Sequence, residues 1–334
     1  MNKKKSTHPL LIISVLLCSE ISFADTSKFI TTPEQNCSNV DFREYFDLKM
    51  RNQHELSWCF AHAAADYLQY AYQLTEQVSA ADIAIQYSET NASKLISFFK
   101  KIFNHEYGKL PAQTGFIKIA LDKITSQGYC PESALPSEEW LKIENNGVEK
   151  KVEISKAILE IQSLHQEVIL NRIKKTTDLP FIYAFKNIDA SIFFETLKSS
   201  SPKNLFQSIR KLACLNERKP FSNKPYKSNF QIKGKSFFSK INKSINEKMP
   251  VTIDFFSDVL RHSDSPKRSI SELHTVLVYG RKFDPSSNQC HYLIKDSYGE
   301  QCTKYDPKLN CESGYVWLSE RKLYKAATSS LILE

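Results

Sequence analysis

Cys59 and Gln53 have the residue types and the spacing that thiol chemistry on a carbonyl requires. Cys59 opens an apolar, alanine-rich stretch that runs to Ala65, and Gln53 stands six residues before it. The first turn of a helix favours an anion because of its free N–H groups and its dipole, and the thiolate is the nucleophilic form of cysteine. A glutamine N–H directed at the same point would stabilise the oxyanion that forms when the thiolate attacks. The same stretch is also typical of a core helix that carries a structural cysteine.

A histidine and a carboxylate on two later strands are the matching base and orienting group. β-Branched and aromatic residues predict a strand over residues 273–280, which carries His274 at its start, and a second strand over 290–295, which runs into Asp296. A histidine that begins one strand and a carboxylate that ends the next can meet across an antiparallel pair. Such a catalytic unit is recognised by the roles of its members and not by their adjacency in sequence.

Several short motifs, in their order along the chain, resemble those of the papain family of cysteine peptidases. The motifs are Val40-Asp41-Phe42-Arg43, Asn52-Gln53 with Cys59, Gln113-Thr114-Gly115, Gly128 through Pro136, Met249-Pro250-Val251-Thr252-Ile253, Asp296-Ser297-Tyr298-Gly299 and Gly314-Tyr315-Val316-Trp317-Leu318. Each motif is weak alone, but their order is specific. The chain therefore resembles a divergent, exported bacterial member of that family over residues 38–136 and 246–320.

The resemblance implies an α+β fold of two lobes, a helical first lobe and an antiparallel β second lobe, with an inserted helical subdomain. It implies hydrolysis of peptide bonds, with Cys59 as nucleophile, His274 as base, Asp296 as the group that orients the imidazole, and Gln53 in the oxyanion hole. We expect a protein or peptide as substrate.

Three further residues are expected to bind substrate or to shield the site. The backbone around Thr114 and Gly115 would hold the substrate as an added extended strand. Tyr298 would exclude water from the contact between the histidine and the carboxylate.

Two departures from the family pattern leave alternatives open. The family's Cys-Gly-Ser-Cys-Trp segment is Leu56-Ser57-Trp58-Cys59-Phe60 here, and Asp296 replaces an asparagine. One alternative is a papain-like binding protein without catalysis, and another is a transamidase or amidase that uses the same residues. A thiol-directed probe separates the binding protein from the enzymes, and product analysis with added amines identifies a transamidase.

The amino terminus is typical of a secretory signal peptide. Residues 1–24 contain a run of lysines, a short apolar segment and small residues that end at Ala24, which predicts cleavage after that residue. The protein is therefore expected to be secreted or periplasmic. No segment of the mature chain has the length and apolar character of a transmembrane helix.

The mature chain divides into three predicted parts. Residues 25–139 are expected to form the helical lobe with the nucleophile, and 246–334 the β lobe with the histidine and aspartate. Residues 140–245 lack the family's motifs and are expected to form a helical insertion. Apolar periodicity predicts helices there over 152–173, 204–214 and 236–246.

The cysteine count predicts disulfides and one reactive thiol. Seven cysteines remain after Ala24, and setting Cys59 aside leaves an even set in an exported protein. Cys302 and Cys311 enclose a short loop and are natural partners, whereas the sequence leaves the pairing of the others open. No C-x-x-C or H-x-x-x-H spacing indicates zinc, and no cofactor is expected.

The chain carries a net charge of +8, and much of the excess lies over residues 203–243. This pattern is typical of a solvated basic surface, and contact with an anionic surface is the functional alternative. No nucleic-acid-binding module is recognisable, so nucleic acid is not favoured as a partner.

Overall fold

The computed structural model describes residues 32–43, 49–90, 115–145, 148–179, 182–183, 185, 188–221, 228–234, 236–264 and 273–333. The signal peptide predicted over residues 1–24 lies outside the described residues. The helices of the described part are α1 Cys59–Ala71, α2 Ala80–Ser88, α3 Ile117–Gln127, α4 Ile154–Ile169, α5 Ala190–Ser199, α6 Leu205–Ala213, α7 Phe237–Asn246, α8 Asp258–Arg261 and α9 Glu320–Ala326. The strands are β1 Val40–Asp41, β2 Glu139–Asn145, β3 Val148–Glu153, β4 Ile182–Tyr183, β5 Ser228–Ile232, β6 Val251–Phe256, β7 Leu273–Asp284, β8 Gln289–Lys295, β9 Asn310–Glu312, β10 Tyr315–Ser319 and β11 Ala327–Leu333.

Helix α1 is the centre of the first lobe. Every residue from Cys59 to Tyr70 is buried, as expected for a helix that is apolar nearly all round. It packs against α2 and α3 within its lobe and against β7 of the second lobe. Ser79 caps α2 by accepting a hydrogen bond from the backbone N–H of Asp82 at 3.0 Å.

The second lobe is built on an antiparallel sheet of eight strands. Its order is β5-β11-β6-β7-β8-β10-β9, and β1 pairs with β7 outside this path. Gly280 permits the approach of β1, because a Cβ there would lie 2.5 Å from the carbonyl oxygen of Val40. The expected α+β arrangement of a helical lobe and an antiparallel β lobe is thus confirmed.

The segment over residues 140–245 contains the expected helices and additional strands. The predicted helices over 204–214 and 236–246 correspond to α6 and α7, whereas residues 152–153 belong to β3 and α4 ends at Ile169. Strands β2, β3 and β4 form a small sheet of three, in the order β3-β2-β4. Strand β5 pairs with β11, and α7 packs on β6, β7 and β11. The division at residue 245 stays a prediction, and strand pairing favours an earlier start of the β lobe, at β5.

Some of the cationic side chains of residues 203–243 form ion pairs with acidic residues of the first lobe. Arg210 and Arg218 both contact the buried carboxylate of Asp82, at 3.2 and 2.7 Å. Lys219 pairs with Glu76 at 2.7 Å. These ion pairs join residues 210–219 to the first lobe, and the carboxylates offset part of the basic charge of the segment.

Three disulfides connect the described residues. They join Cys37 to Cys290, Cys130 to Cys214, and Cys302 to Cys311. The prediction of three disulfides and the predicted Cys302–Cys311 pair are confirmed. Cys59 is the free cysteine of the described part, and it is buried.

None of the helices in the described ranges combines the length and the apolar character needed to cross a membrane.

Candidate active site

Cys59 is the first residue of α1, with a side chain that is 6% exposed. No side chain caps this helix, and the N–H groups of Ala61 and His62 already donate to the carbonyl of Trp58. The N–H groups of Cys59 and Phe60 come before these two in the helix. They can therefore donate to a negative charge on the Cys59 sulfur or on a substrate oxygen. The local chain therefore gives the thiol the setting that the sequence predicts.

His274 and Asp296 are in direct contact at one end of the β7–β8 pair. The imidazole Nε2 lies 2.7 Å from Oδ1 of Asp296, and both side chains are buried. The antiparallel register pairs Leu277 with Lys295, so the start of β7 meets the residue that follows β8. This contact leaves Nδ1 as the ring nitrogen on the opposite edge, and it orients the imidazole.

The charges around His274 favour its protonated form. Burial by itself would lower the pKa of His274, but the negative charges of Asp296 and of a Cys59 thiolate outweigh it and hold the pKa well above the usual value. No hydrogen bond joins Cys59 to His274 in the described structure, and the two interact through charge. A thiolate beside an imidazolium is the pairing that makes a cysteine nucleophilic at neutral pH.

Two aromatic rings enclose the imidazole. Tyr298 stacks on His274 with ring centroids 5.0 Å apart and an interplanar angle of 9°. Phe255 approaches the same ring edge-on at 5.9 Å. The stacked tyrosine covers one face of the imidazole.

Gln53 is tied to the segment that follows Asp296. Its backbone N–H donates to the carbonyl of Ser297 at 2.7 Å, and its Oε1 accepts from the hydroxyl of Ser297 at 2.5 Å. Its Nε2 donates to the carbonyl of Leu56 at 2.8 Å. An amide NH₂ has two hydrogens, so one remains for an oxyanion.

Of Thr114 and Gly115, whose backbone is expected to hold the substrate, the structure describes Gly115. Thr114 lies outside the described residues, while Gly115 rests directly on the ring of Phe60, because a Cβ at this glycine would lie 2.7 Å from that ring. Phe60 also packs against Tyr87 at 4.9 Å, and the hydroxyl of Tyr87 accepts from the N–H of Phe116 at 3.3 Å. The backbone at Gly115 is therefore held close to the residue that follows the nucleophile.

Tyr305 is a contact of the site that the sequence analysis missed. Its hydroxyl donates to Oδ2 of Asp296 at 3.3 Å, while the N–H of Ser297 donates to Oδ1 at 2.6 Å. The tyrosine lies in the loop that Cys302 and Cys311 close. The predicted Cys302–Cys311 disulfide could have indicated this contact, because a loop closed shortly after Asp296 must fold back toward that residue.

A buried ionic cluster joins the two lobes next to the site. Asp66 of α1 accepts from Arg51 at 2.8 Å and is in close contact with Lys295, the last residue of β8. Arg51 also reaches Glu132 at 3.2 Å. Burial raises the pKa of Asp66, but the charges of Lys295 and Arg51 lower it more, so the carboxylate stays ionised. Because Lys295 precedes Asp296, the cluster links the position of the nucleophile helix to that of the orienting group.

Among the described residues, no three metal-ligating side chains gather into a group that could hold an ion.

Comparison with known proteins gives likenesses to solved structures alone. No family model and no curated protein matches the sequence. The chain is similar to digestive procathepsin L 3 of the Tenebrio molitor larval midgut, with 15% identity, coverage of 92% of this chain and 72% of that one, and a TM-score of 0.44. It is also similar to the bromelain protease from Ananas comosus in complex with the E64 inhibitor, with 13% identity, 90% and 99% coverage, and a TM-score of 0.42. A third likeness is to the ragweed pollen allergen Amb a 11, a cysteine protease in its proform, with 13% identity, 92% and 66% coverage, and a TM-score of 0.46. The similar structures are thus cysteine proteases, but at these identities and scores the site rests on the contacts described above.

Proposed function

We propose that this protein is an exported cysteine peptidase that cleaves peptide bonds through Cys59, His274 and Asp296. The observation that carries the proposal is the 2.7 Å contact of His274 Nε2 with Asp296 Oδ1, beside a free cysteine at the first turn of a buried helix. The other cysteines of the described chain are paired in disulfides, whereas Cys59 is free.

The reaction follows from the positions of these groups. Before substrate arrives, His274 holds the proton of Cys59 as a thiolate–imidazolium pair. The thiolate attacks the peptide carbonyl carbon, so that a C–S bond forms and the carbonyl electron pair moves to oxygen. The N–H of Cys59 and the remaining amide hydrogen of Gln53 stabilise that oxyanion. Collapse breaks the C–N bond, and the imidazolium gives its proton to the leaving amine.

Water then releases the acyl group. With His274 as base, a water molecule attacks the thioester, the C–S bond breaks, and the proton returns to the sulfur. Asp296 holds the ring in one orientation through both steps, and Tyr298 shields that contact. The transamidase alternative differs only in the acceptor, an amine in place of water.

The site would lie in an exported protein. The predicted signal peptide and the three disulfides support this placement, since disulfides persist in oxidising compartments. The insertion over residues 140–245 is proposed to supply no catalytic group.

The proposal is tested with the chain from residue 25 onward, purified in its oxidised form. A peptidyl epoxide should label one cysteine, which peptide mapping should place at Cys59, and Cys59→Ala should abolish both labelling and hydrolysis of a mixed peptide library. His291→Ala is the matched control, because His291 lies on β8 and pairs with Asp284 at 3.4 Å, on the turn away from the site.

Other outcomes would change the proposed function. Labelling at another cysteine, or full hydrolysis by Cys59→Ala, contradicts the assignment of the nucleophile. A chain that binds peptides but never cleaves them is a binding protein. Products that carry an added amine identify a transamidase.

A further inference from the structure

The disulfide between Cys302 and Cys311 is the accessible one of the three that the described residues form. Both of its cysteines are partly exposed, Cys302 in a short 3₁₀ helix and Cys311 in β9, the last strand of the sheet. The cysteines of the other two disulfides are buried, each with an exposed fraction of 3% or less: Cys37, Cys130, Cys214 and Cys290. Thiol–disulfide exchange requires a thiolate to reach a sulfur of the disulfide, so a reductant should react with Cys302–Cys311 first.

This disulfide closes a loop that brings Tyr305 to the candidate active site. Tyr305 is buried, and its hydroxyl donates to Oδ2 of Asp296 at 3.3 Å. Burial, together with the negative charge of Asp296, raises the pKa of Tyr305, so the hydroxyl keeps its proton and remains a donor. Asp296 in turn lies 2.7 Å from Nε2 of His274. Two hydrogen bonds therefore connect the loop to the imidazole.

A second contact of the same loop leads to the ring that stacks on the imidazole. The ammonium group of Lys304 donates to the backbone carbonyl of Tyr298 at 2.6 Å, and the Tyr298 ring stacks on His274. Lys304 and Tyr305 follow Cys302 directly along the chain, within three residues of it. The position of Cys302 therefore influences both contacts with the site.

The disulfide is the covalent tie between this part of the loop and the sheet. Cys311 is held by strand pairing, because it stands opposite Val316 of β10, which pairs with Ile294 of β8. Cys302 begins the 3₁₀ helix Cys302–Lys304, and its carbonyl accepts a local hydrogen bond from the N–H of Tyr305 at 3.2 Å. Opening the S–S bond would leave that short helix with its local bonds and with the contacts to the site itself.

The other side of the loop is held without the disulfide. The side chain of Asp306 accepts from the backbone N–H of Ser263 at 2.9 Å and from its hydroxyl at 2.6 Å. The backbone N–H of Asp306 also donates to the carbonyl of Leu260 at 2.7 Å. Reduction should therefore loosen residues 302–305 without releasing the whole loop, and the expected loss is one of positioning and not of folding.

We propose that Cys302–Cys311 is a redox-modification site through which a dithiol reductant lowers the activity of the enzyme. The inference rests on the proposed peptidase function and adds the regulation of its site. A thiolate of the dithiol attacks one sulfur of the pair, the S–S bond breaks, and a mixed disulfide forms while the other sulfur takes a proton. The second thiol of the reductant then displaces the protein sulfur. Two electrons and two protons pass to the protein, and the reductant leaves as a disulfide.

The redox state of this pair acts on the orienting group and not on the nucleophile. Cys59 is free while the pair is oxidised, and reduction of the pair leaves it free. Tyr305 is a positioning residue, because its hydroxyl bonds to Asp296, which orients His274. In an oxidising compartment the disulfide persists and the positioning contact is kept, whereas a dithiol removes it.

The test starts from the oxidised chain from residue 25 onward, treated with increasing concentrations of dithiothreitol. After trapping with iodoacetamide, peptide mapping should find Cys302 and Cys311 labelled before any cysteine of the two buried disulfides. When this pair alone is reduced, kcat should fall about five-fold with KM unchanged, as expected for the loss of one hydrogen bond. Reoxidation should restore kcat.

Two variants show whether the effect passes through Tyr305. Tyr305→Phe already lacks the donor to Asp296, so reduction of the pair should cause no further fall in its kcat. Cys302→Ser combined with Cys311→Ser should have the low kcat without reductant and should not respond to dithiothreitol. The second variant is also the control for an effect of dithiothreitol on Cys59.

The possible failures of the redox site and of the peptidase are distinct. Earlier reduction of a buried disulfide, an unchanged kcat after selective reduction, or a further fall in Tyr305→Phe overturns the redox site and leaves the peptidase standing. If no form of the protein cleaves peptides, the proposed function is refuted, and NMR of the His274 ring decides on the redox site. Ring signals that shift on reduction in the wild type but not in Tyr305→Phe support it, and signals that stay in place overturn it.

Discussion

Replacing Asp296 with asparagine removes the charge next to His274 and keeps an oxygen acceptor for its ring, while the hydrogen bond from Tyr305 to Oδ2 is lost or reversed. The carboxylate accepts from the imidazole at 2.7 Å and from the backbone N–H of Ser297 at 2.6 Å, both through Oδ1. The amide oxygen of an asparagine can occupy the same place. Asp296→Asn therefore retains the hydrogen bond that orients the ring and removes the negative charge that favours the imidazolium.

The size of the effect follows from that contact. A hydrogen bond to a charged acceptor stabilises by about 1–2 kcal/mol more than a neutral one. Loss of this difference lowers the pKa of His274 by about one pH unit. His274 must carry a proton to release the amine. The alkaline limb of the pH dependence of kcat/KM should therefore move to lower pH by about one unit. At neutral pH much of the activity should remain, whereas Asp296→Ala, which also loses the orienting bond, should reduce kcat by roughly two orders of magnitude or less.

The assay is the pH dependence of kcat/KM with a fluorogenic peptide amide, together with NMR titration of the His274 ring. Asp284→Asn is the control for a general change in surface charge. An alkaline limb that stays in place in Asp296→Asn, or moves to higher pH, would show that the carboxylate does not stabilise the imidazolium. Full activity of Asp296→Ala would show that another group holds the ring.

Three further predictions follow from the same contacts. Tyr305→Phe removes the donor to Oδ2 of Asp296, and we expect kcat to fall about five-fold with KM unchanged; an unchanged kcat would mean that this hydroxyl does not position the aspartate. His62 is buried with no hydrogen-bond partner for either ring nitrogen in the described structure, and burial, aided by the charge of Arg51, lowers the pKa of His62 to about 3. The folded protein then binds fewer protons than the unfolded chain, so its free energy of unfolding falls as the pH drops below the usual histidine value. His62→Phe should remove about 2 kcal/mol of the loss between pH 7 and pH 5 in urea titrations, and an equal loss in both proteins would contradict this. Thiol counting on the oxidised mature chain in denaturant should give one free cysteine, Cys59, and seven after reduction; seven without reductant would contradict export into an oxidising compartment.

The elements that carry the site could be predicted because their signals are local. The alanine-rich stretch after Cys59 favours a helix, and the β-branched residues around His274 and before Asp296 favour strands, whatever the rest of the chain does. These stretches are α1, β7 and β8 in the structure. The pairing of Cys302 with Cys311 could be predicted for the same reason, since the two cysteines lie only nine positions apart.

Contacts between distant parts of the chain depend on the tertiary structure. Cys37 pairs with Cys290 across 253 residues, a choice that spacing alone cannot make because it depends on how β1 lies on β7. The short strands β2, β3 and β4 were missed because their stability comes from pairing with one another and not from local preference.

The roles of single polar residues divide in the same way. The sequence by itself identified Cys59, His274 and Asp296 as candidates, because their residue types and their places at element ends are visible in one dimension. Asp254 is a single carboxylate within an apolar strand of the sequence. Its hydrogen bonds with Thr275 and Ser329, which lie on two other strands, are visible only in the fold. Hydrogen bonding and desolvation act over a few ångströms of space. Only the folded chain therefore decides which charged side chains are buried and which partners they have.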